Sequence, residues 1–63
     1  MSGEGQGEVF FEFTRMGASV KVAAIDGDTG IEVIVIGPAS AMPSDLERLA
    51  LAKLKARLAR EAD

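Results

Sequence analysis

The residues with the best claim to chemistry lie in one acidic segment, Asp26–Gly27–Asp28–Thr29–Gly30. Asp28–Thr29–Gly30 is the tripeptide found around the catalytic aspartate of aspartic proteases, in which two carboxylates share one proton. A hydrolase that uses Asp28 is therefore the enzymatic hypothesis. Three residues are a weak motif, and Ile31 follows where a small residue is expected. Asp, Thr and Gly also favour tight turns, and a hairpin turn is the simpler interpretation.

Metal binding at the same segment would use the carboxylates of Asp26, Asp28 and Glu32. A calcium loop of the EF-hand type needs an oxygen ligand at its fifth position and glycine at its sixth, where this chain has Gly30 and Ile31. Cysteine and histidine are both absent, which excludes disulfides, thiolate chemistry and the usual zinc sites. Glycine-rich phosphate loops and nucleophile-elbow motifs are also missing. We therefore expect no metal, no cofactor and no enzymatic activity.

Nucleic-acid binding has one candidate surface, formed by the basic residues of the C-terminal segment: Lys53, Lys55, Arg57 and Arg60. The net charge of −3 gives no overall attraction to polyanions. Single-strand binders also place aromatic side chains in a basic groove, whereas the three phenylalanines here lie between residues 10 and 13. Basic residues near a helix C-terminus are explained by the helix dipole. A nucleic-acid-associated protein is the second hypothesis, after a non-enzymatic interaction or accessory module.

The elements that position these residues follow from composition and turn signals. Three segments rich in Val, Ile, Phe and Thr, residues 8–16, 19–26 and 30–37, predict strands joined by short antiparallel turns. Alanine and leucine dominate residues 44–62 and predict a helix, which Ser44 and Glu47 would begin as a capping box. The glycine- and glutamate-rich residues 1–7 read as a disordered tail. The fold class is α+β, a three-stranded antiparallel β-meander followed by one C-terminal helix.

Strand alternation leaves this sheet with two apolar faces. Val9, Phe11 and Phe13 share one face with the valines of the second and third strands, and one helix can cover that face. The opposite face carries a second apolar set: Phe10, Ala23, Ile25, Ile34 and Ile36. An antiparallel sheet with one solvated face should instead alternate between apolar and polar residues. A domain of 63 residues is also marginally stable alone, so we predict a homodimer that buries this set.

The predicted helix also has more apolar surface than its contact with one sheet can bury. Leu51, Leu54 and Leu58 form one side, and a stripe of Leu49, Ala52, Ala56 and Ala59 forms another, which a second helix would fit. The alternative is that these alanines only favour helix formation on a solvated side. Pro38 and Pro43 bias the linker toward extended conformations, so exchange of the helix between protomers is a further option in the dimer.

Two stretches carry a resemblance to known proteins, FFEFTRMG at residues 10–17 and DxxTGxEVxxxGP at residues 26–38. With the alanine- and leucine-rich helix, they resemble a family of short alphaproteobacterial proteins of unknown function. The resemblance covers nearly the whole chain except the tail. It implies a bacterial, intracellular, stand-alone protein and carries over no catalytic residue.

The functional hypothesis is a small non-enzymatic homodimeric interaction or accessory module. Its expected partner is a second copy of itself, with an unknown protein partner as a further option and no membrane. Residues 1–7 lack the basic and apolar regions of a signal peptide, and the apolar run at residues 31–36 is too short to span a bilayer. We therefore expect a cytoplasmic protein.

Overall fold

A computed structural model describes residues 7–62, so the predicted disordered tail lies almost wholly outside the described residues. The described part contains three strands and one helix, β1 (Val9–Met16), β2 (Ser19–Asp26), β3 (Glu32–Pro38) and α1 (Pro43–Glu61). The strands form one antiparallel sheet in the order β1-β2-β3. The prediction of a three-stranded meander followed by one C-terminal helix is confirmed. The predicted dimer and the exchange of its helix remain predictions.

Glycines close both hairpins. Gly17 takes a φ of 60° between β1 and β2, and Gly30 takes a φ of 76° before β3. Both values lie in the left-handed region, where residues with a Cβ atom are strained. Because Gly30 belongs to the turn, β3 begins at Glu32, two residues beyond the predicted start. The short turns fix the register of each strand on its neighbour.

The start of α1 differs from the prediction. The residue that precedes the first helical turn is Met42, its side chain makes no capping hydrogen bond, and Pro43 is the first helical residue. Ser44 therefore lies inside the helix, and the predicted capping box with Glu47 is wrong. Proline suits this position because its fixed φ matches the helix and its missing N–H would have no partner there.

The core lies between one face of the sheet and α1. Its buried members are six apolar side chains: Val22, Ala24, Val33, Leu46, Ala50 and Leu54. Leu54 is fully buried, and Leu51 and Leu58 are partly buried beside it. The leucine side of the helix therefore faces the sheet, as the spacing predicted. Burying one such side chain contributes about 1.5–3 kcal/mol to the free energy of folding.

Gly37 lets the beginning of α1 approach β3. A Cβ atom added at Gly37 would lie 2.5 Å from Cδ2 of Leu46, a separation that real Cβ atoms do not reach. Leu46 fills the space where the side chain of residue 37 would stand.

The part of the chain that the structure describes contains no helix with the length and apolarity needed to cross a membrane.

Candidate functional site on the open face of the sheet

The face of the sheet opposite α1 carries the second apolar set that the sequence predicted. Strand pairing places Phe10 beside Ile25 and Ala23 beside Ile34, while Ile36 lies beside Lys21. Paired side chains on one face of an antiparallel sheet lie about 4.5–5.5 Å apart at Cβ, so these residues form one continuous band. The band runs diagonally across the sheet from Phe10 on β1 to Ile36 on β3. We call it the open-face band.

Large parts of the open-face band are exposed to solvent. Phe10 is 50% exposed, Ile34 is 37% exposed and Ile36 is 63% exposed. Ile25 is half-buried and Ala23 is buried, because they lie on the central strand between larger neighbours. Few monomeric proteins expose a continuous apolar surface of this kind without using it for binding.

Polar residues border the open-face band on both sides. Glu12 and Thr14 of β1 lie beside Ala23 and Lys21 of β2, and Glu32 of β3 lies beside Ile25. The border therefore contains both carboxylates and an ammonium group. An apolar centre with a polar rim of mixed charge is the usual composition of a protein–protein contact surface.

The helix stripe of Leu49, Ala52, Ala56 and Ala59 forms a separate surface. All four residues are exposed, and Leu49 is 58% exposed. Since α1 packs on the other face of the sheet, the stripe and the open-face band lie on opposite sides of the molecule. The structure thus divides the predicted interface residues into two surfaces that one flat contact cannot cover together.

The four predicted nucleic-acid-binding residues do not form one basic patch. The Nζ atom of Lys53 donates a 2.7 Å hydrogen bond to the backbone carbonyl of Ile34 on the outer edge of β3. Lys55 lies on the other side of the helix, where it lines a groove beside β1. The guanidinium of Arg57 forms a 3.0 Å ion pair with Glu61, one turn further on. Arg60 is exposed, and its spacing from Lys53 and Arg57 places it on the same side of the helix as those two residues.

The acidic segment between β2 and β3 is a side-chain-stabilised turn. Oδ2 of Asp26 accepts hydrogen bonds from the backbone N–H of Thr29 at 2.9 Å and from its hydroxyl at 2.7 Å. The backbone carbonyl of Asp26 also accepts from the N–H of Gly30 at 2.8 Å. These bonds account for Asp, Thr and Gly at these positions, as the turn interpretation requires.

Asp28, the residue of the hydrolase hypothesis, is exposed at the tip of this turn. Its Oδ2 accepts a 3.3 Å hydrogen bond from the backbone N–H of Gly7. Within residues 7–62, no three acidic side chains come close enough together to hold a metal ion.

One feature of this fold was missed from the sequence. The helix packs on β2 and β3 and reaches β1 only marginally, so the expectation that one helix covers the whole inner face is wrong. A groove of about 350 Å³ remains between β1 and α1, with these lining residues: Gly7, Val9, Phe11, Asp26, Leu51, Leu54, Lys55 and Leu58. Phe13, further along β1 on the same face, is 45% exposed. No local pattern in the sequence indicates this gap, because it depends on where α1 lies across the sheet.

Comparison with known proteins gives one result. No curated protein and no solved structure matches the chain significantly. A family model, described as a domain of unknown function (DUF6898), matches residues 6–61. Since this match spans almost all of the chain, the protein belongs to the DUF6898 family.

Proposed function

We propose that this protein is a non-enzymatic, self-associating interaction or accessory module, and that its copies pair through the open-face band. The observation that carries the proposal is the exposure of Phe10, Ile34 and Ile36 on a face that α1 cannot reach. Two such faces packed together would form an aligned sheet sandwich, in which side chains from both sheets interdigitate. The open face of the sheet would then be covered as well.

The free energy available from this contact is significant for so small a domain. Fully burying an exposed Ile or Phe side chain contributes about 1.5–3 kcal/mol, so three partly exposed ones contribute several kcal/mol per protomer. A domain of this length has a total stability of roughly 3–9 kcal/mol. Self-association is therefore expected to raise the stability of the fold as well as to create the interface.

The size of the open face sets the expected strength of the contact. Three strands about 4.8 Å apart, with about eight residues at 3.4 Å each, give a projected area of roughly 400 Å² per protomer. Specific interfaces usually bury at least about 1,000 Å² in total, which a pleated face of this size reaches only at the lower end. We therefore propose a dissociation constant on the order of micromolar.

Charge complementarity supports a second copy as the occupant. Glu12, Glu32 and Lys21 border the same apolar band. A two-fold axis in the plane of the contact lets the carboxylates of one copy lie near the Lys21 ammonium of the other. The symmetry repeats this arrangement, so the contact contains it two times. Such an isologous arrangement needs no partner of different composition.

The test measures molar mass by light scattering during size-exclusion chromatography, with the Ile36→Lys variant and a matched control. Ile36 and Leu49 have similar exposure, but they lie on the open-face band and the helix stripe respectively. Ile36→Lys should weaken association at least tenfold because it places a charge in the apolar contact. Leu49→Lys should leave association unchanged. If Leu49→Lys dissociates the protein and Ile36→Lys does not, the helix stripe is the interface and the proposal is wrong.

A further inference from the structure

Each edge strand directs the backbone N–H and C=O groups of alternate residues away from the sheet. Hydrogen bonds within the sheet show which residues these are. The N–H of Gly27 donates to the carbonyl of Glu8 at 2.9 Å, so Glu8 directs its backbone groups toward β2. In an antiparallel pair, alternate residues bond to the neighbouring strand and the residues between them point away. The outward groups of β1 therefore belong to four residues: Val9, Phe11, Phe13 and Arg15.

The outer edge of β3 is protected in two ways. The N–H of Asp26 donates to the carbonyl of Ile31 at 2.9 Å, so by the same alternation Glu32, Ile34, Ile36 and Pro38 direct their backbone groups outward. Pro38 has no N–H to offer to another strand. The carbonyl of Ile34 is already bonded to Nζ of Lys53. Proline and lysine are two of the means by which proteins prevent pairing at a sheet edge.

The outer edge of β1 lacks this protection. Its sequence, VFFEFTRM, contains no proline, and among residues 7–62 no side chain bonds to its outward backbone groups. The helix leaves this strand largely uncovered, and the groove beside it is bordered by Val9 and Phe11. An eight-residue, largely apolar edge strand of this kind is a template for another strand.

We propose that β1 pairs antiparallel with β1 of a second copy, which joins two protomers into one six-stranded sheet. Antiparallel pairing of identical strands requires a two-fold axis perpendicular to the sheet, so both helices lie on the same side. The exposed Phe13 of each copy would then lie beside the groove of the other, at the end where Val9 lines it. Pairing therefore satisfies backbone groups and covers apolar surface that α1 leaves open.

The charges and the hydrogen-bonding pattern of β1 restrict the register of this pair, and the register centred on Phe11 satisfies both. With Phe11 on the axis, Val9 pairs with Phe13 of the second copy and Phe10 lies opposite its Glu12, so no like charges meet. This register forms about six backbone hydrogen bonds through the outward groups of Val9, Phe11 and Phe13. Moving the axis to Glu12 would place two carboxylates directly opposite each other at the closer, non-bonded spacing. This self-complementarity favours a second copy over an unrelated extended peptide.

The inference is independent of the proposed function because it uses the edge of the sheet and the proposed function uses the open-face band. Edge pairing leaves the open-face band free. With both contacts formed, two six-stranded sheets would pack face to face in a tetramer with dihedral symmetry. Each contact alone gives a dimer, so the position of the change distinguishes the two losses: a change on the open face should leave the edge contact intact, and a change at the edge of β1 should leave the open-face contact intact.

The test removes one outward N–H without changing any side chain. A chain of this length can be made by chemical synthesis, with the backbone amide of Phe13 methylated in one sample and that of Ile36 in a matched control. Both amides point away from β2, so circular dichroism should show an intact fold in both. Methylation at Phe13 should weaken edge pairing at least tenfold and halve the oligomer, whereas methylation at Ile36 should leave the molar mass unchanged. Equal association of both samples and the unmodified chain would overturn the proposal.

Amide hydrogen exchange followed by NMR gives the second measurement on the unmodified chain. The amides of Phe11 and Phe13 should exchange at least tenfold more slowly when the concentration rises into the associating range, while those of Ile34 and Ile36 remain fast. Fast exchange at Phe11 and Phe13 in a fully associated sample contradicts edge pairing. Slowing that appears only after an unrelated extended peptide is added also contradicts it, because the occupant would not be a second copy.

Discussion

The ammonium of Lys53 reaches past the edge of the sheet and donates a 2.7 Å hydrogen bond to the backbone carbonyl of Ile34. This bond links the middle of α1 to the outer edge of β3. It favours a position of the helix over β2 and β3, which leaves the groove beside β1. One side chain thus contributes both to the protection of β3 and to the exposure of β1.

Replacing this lysine tests that relationship. Lys53→Met keeps most of the aliphatic chain but removes the donor, so the free energy of unfolding should fall by no more than about 1 kcal/mol, because the bond is exposed. Urea denaturation measures the change, with Lys55→Met as the control on the other side of the helix. The two variants should also differ in solubility, since only Lys53→Met frees the edge of β3. Identical behaviour of the two variants would show that the bond has no role.

The close approach of Gly37 and Leu46 predicts a larger effect. Gly37→Ala places a methyl group where Leu46 packs, and the free energy of unfolding should fall by about 1–3 kcal/mol, the usual range for overpacking. Leu46→Val removes part of the obstructing side chain, so the double variant should lose less than the sum of the single losses. Thermal unfolding of the four chains measures this coupling. Strict additivity would mean that the two residues do not interfere.

The Asp26–Thr29 turn predicts another coupled pair. Thr29→Val removes the hydroxyl that donates to Asp26 but keeps the shape, and should cost about 1 kcal/mol. Asp26→Ala should cost about 1–3 kcal/mol, because it also leaves the N–H of Thr29 without its partner. In the Asp26→Ala background, Thr29→Val should cost less on chemical denaturation than in the unmodified chain, because only the bond that the hydroxyl accepts from the N–H of Ile31 remains to be lost. Equal effects of Thr29→Val in both backgrounds would contradict the proposed bond.

Asp28 separates the turn interpretation from the hydrolase hypothesis. Because it is exposed, Asp28→Asn should change the free energy of unfolding by less than about 0.5 kcal/mol and should change no hydrolytic activity. A peptide-library digestion by the unmodified chain and the variant provides the measurement. Cleavage that disappears in Asp28→Asn would support the hydrolase instead.

The divided basic residues predict weak interaction with nucleic acids. Mixed-sequence oligonucleotides should not bind at low salt, because Lys53 and Arg57 have internal partners and Lys55 lies on another side of the helix. Fluorescence anisotropy with labelled DNA and RNA tests this expectation. Binding that decreases with salt and weakens in Arg57→Ala would favour the nucleic-acid hypothesis.

The open-face band was predictable because strand alternation is a local property. Once short turns fix the register, Phe10, Ile25 and Ile34 must share a face. The periodicity of the helix, which is also a local property, identified Leu54 as a residue that faces the sheet. Whether copies associate through that face is a property of two chains, and it remains the central prediction.

The groove and the helix start were not predictable in this way. The position of α1 across the sheet depends on the contact of Leu46 with Gly37 and on the reach of Lys53, neither of which leaves a periodic signal. The capping motif at Ser44 was overridden because Pro43 already provides the first helical φ. Both differences arise from tertiary packing or from a neighbouring residue that outweighs a local preference.

Sedimentation equilibrium of the unmodified chain and of Ile36→Lys, from about 1 µM to about 1 mM, tests the central claim most directly. We predict that the unmodified chain shifts from 6.6 kDa to a multiple of that mass as concentration rises. Ile36→Lys should require at least tenfold higher concentration for the same shift. A folded chain that stays at 6.6 kDa over the whole range would contradict the proposal that the open-face band is a contact between copies.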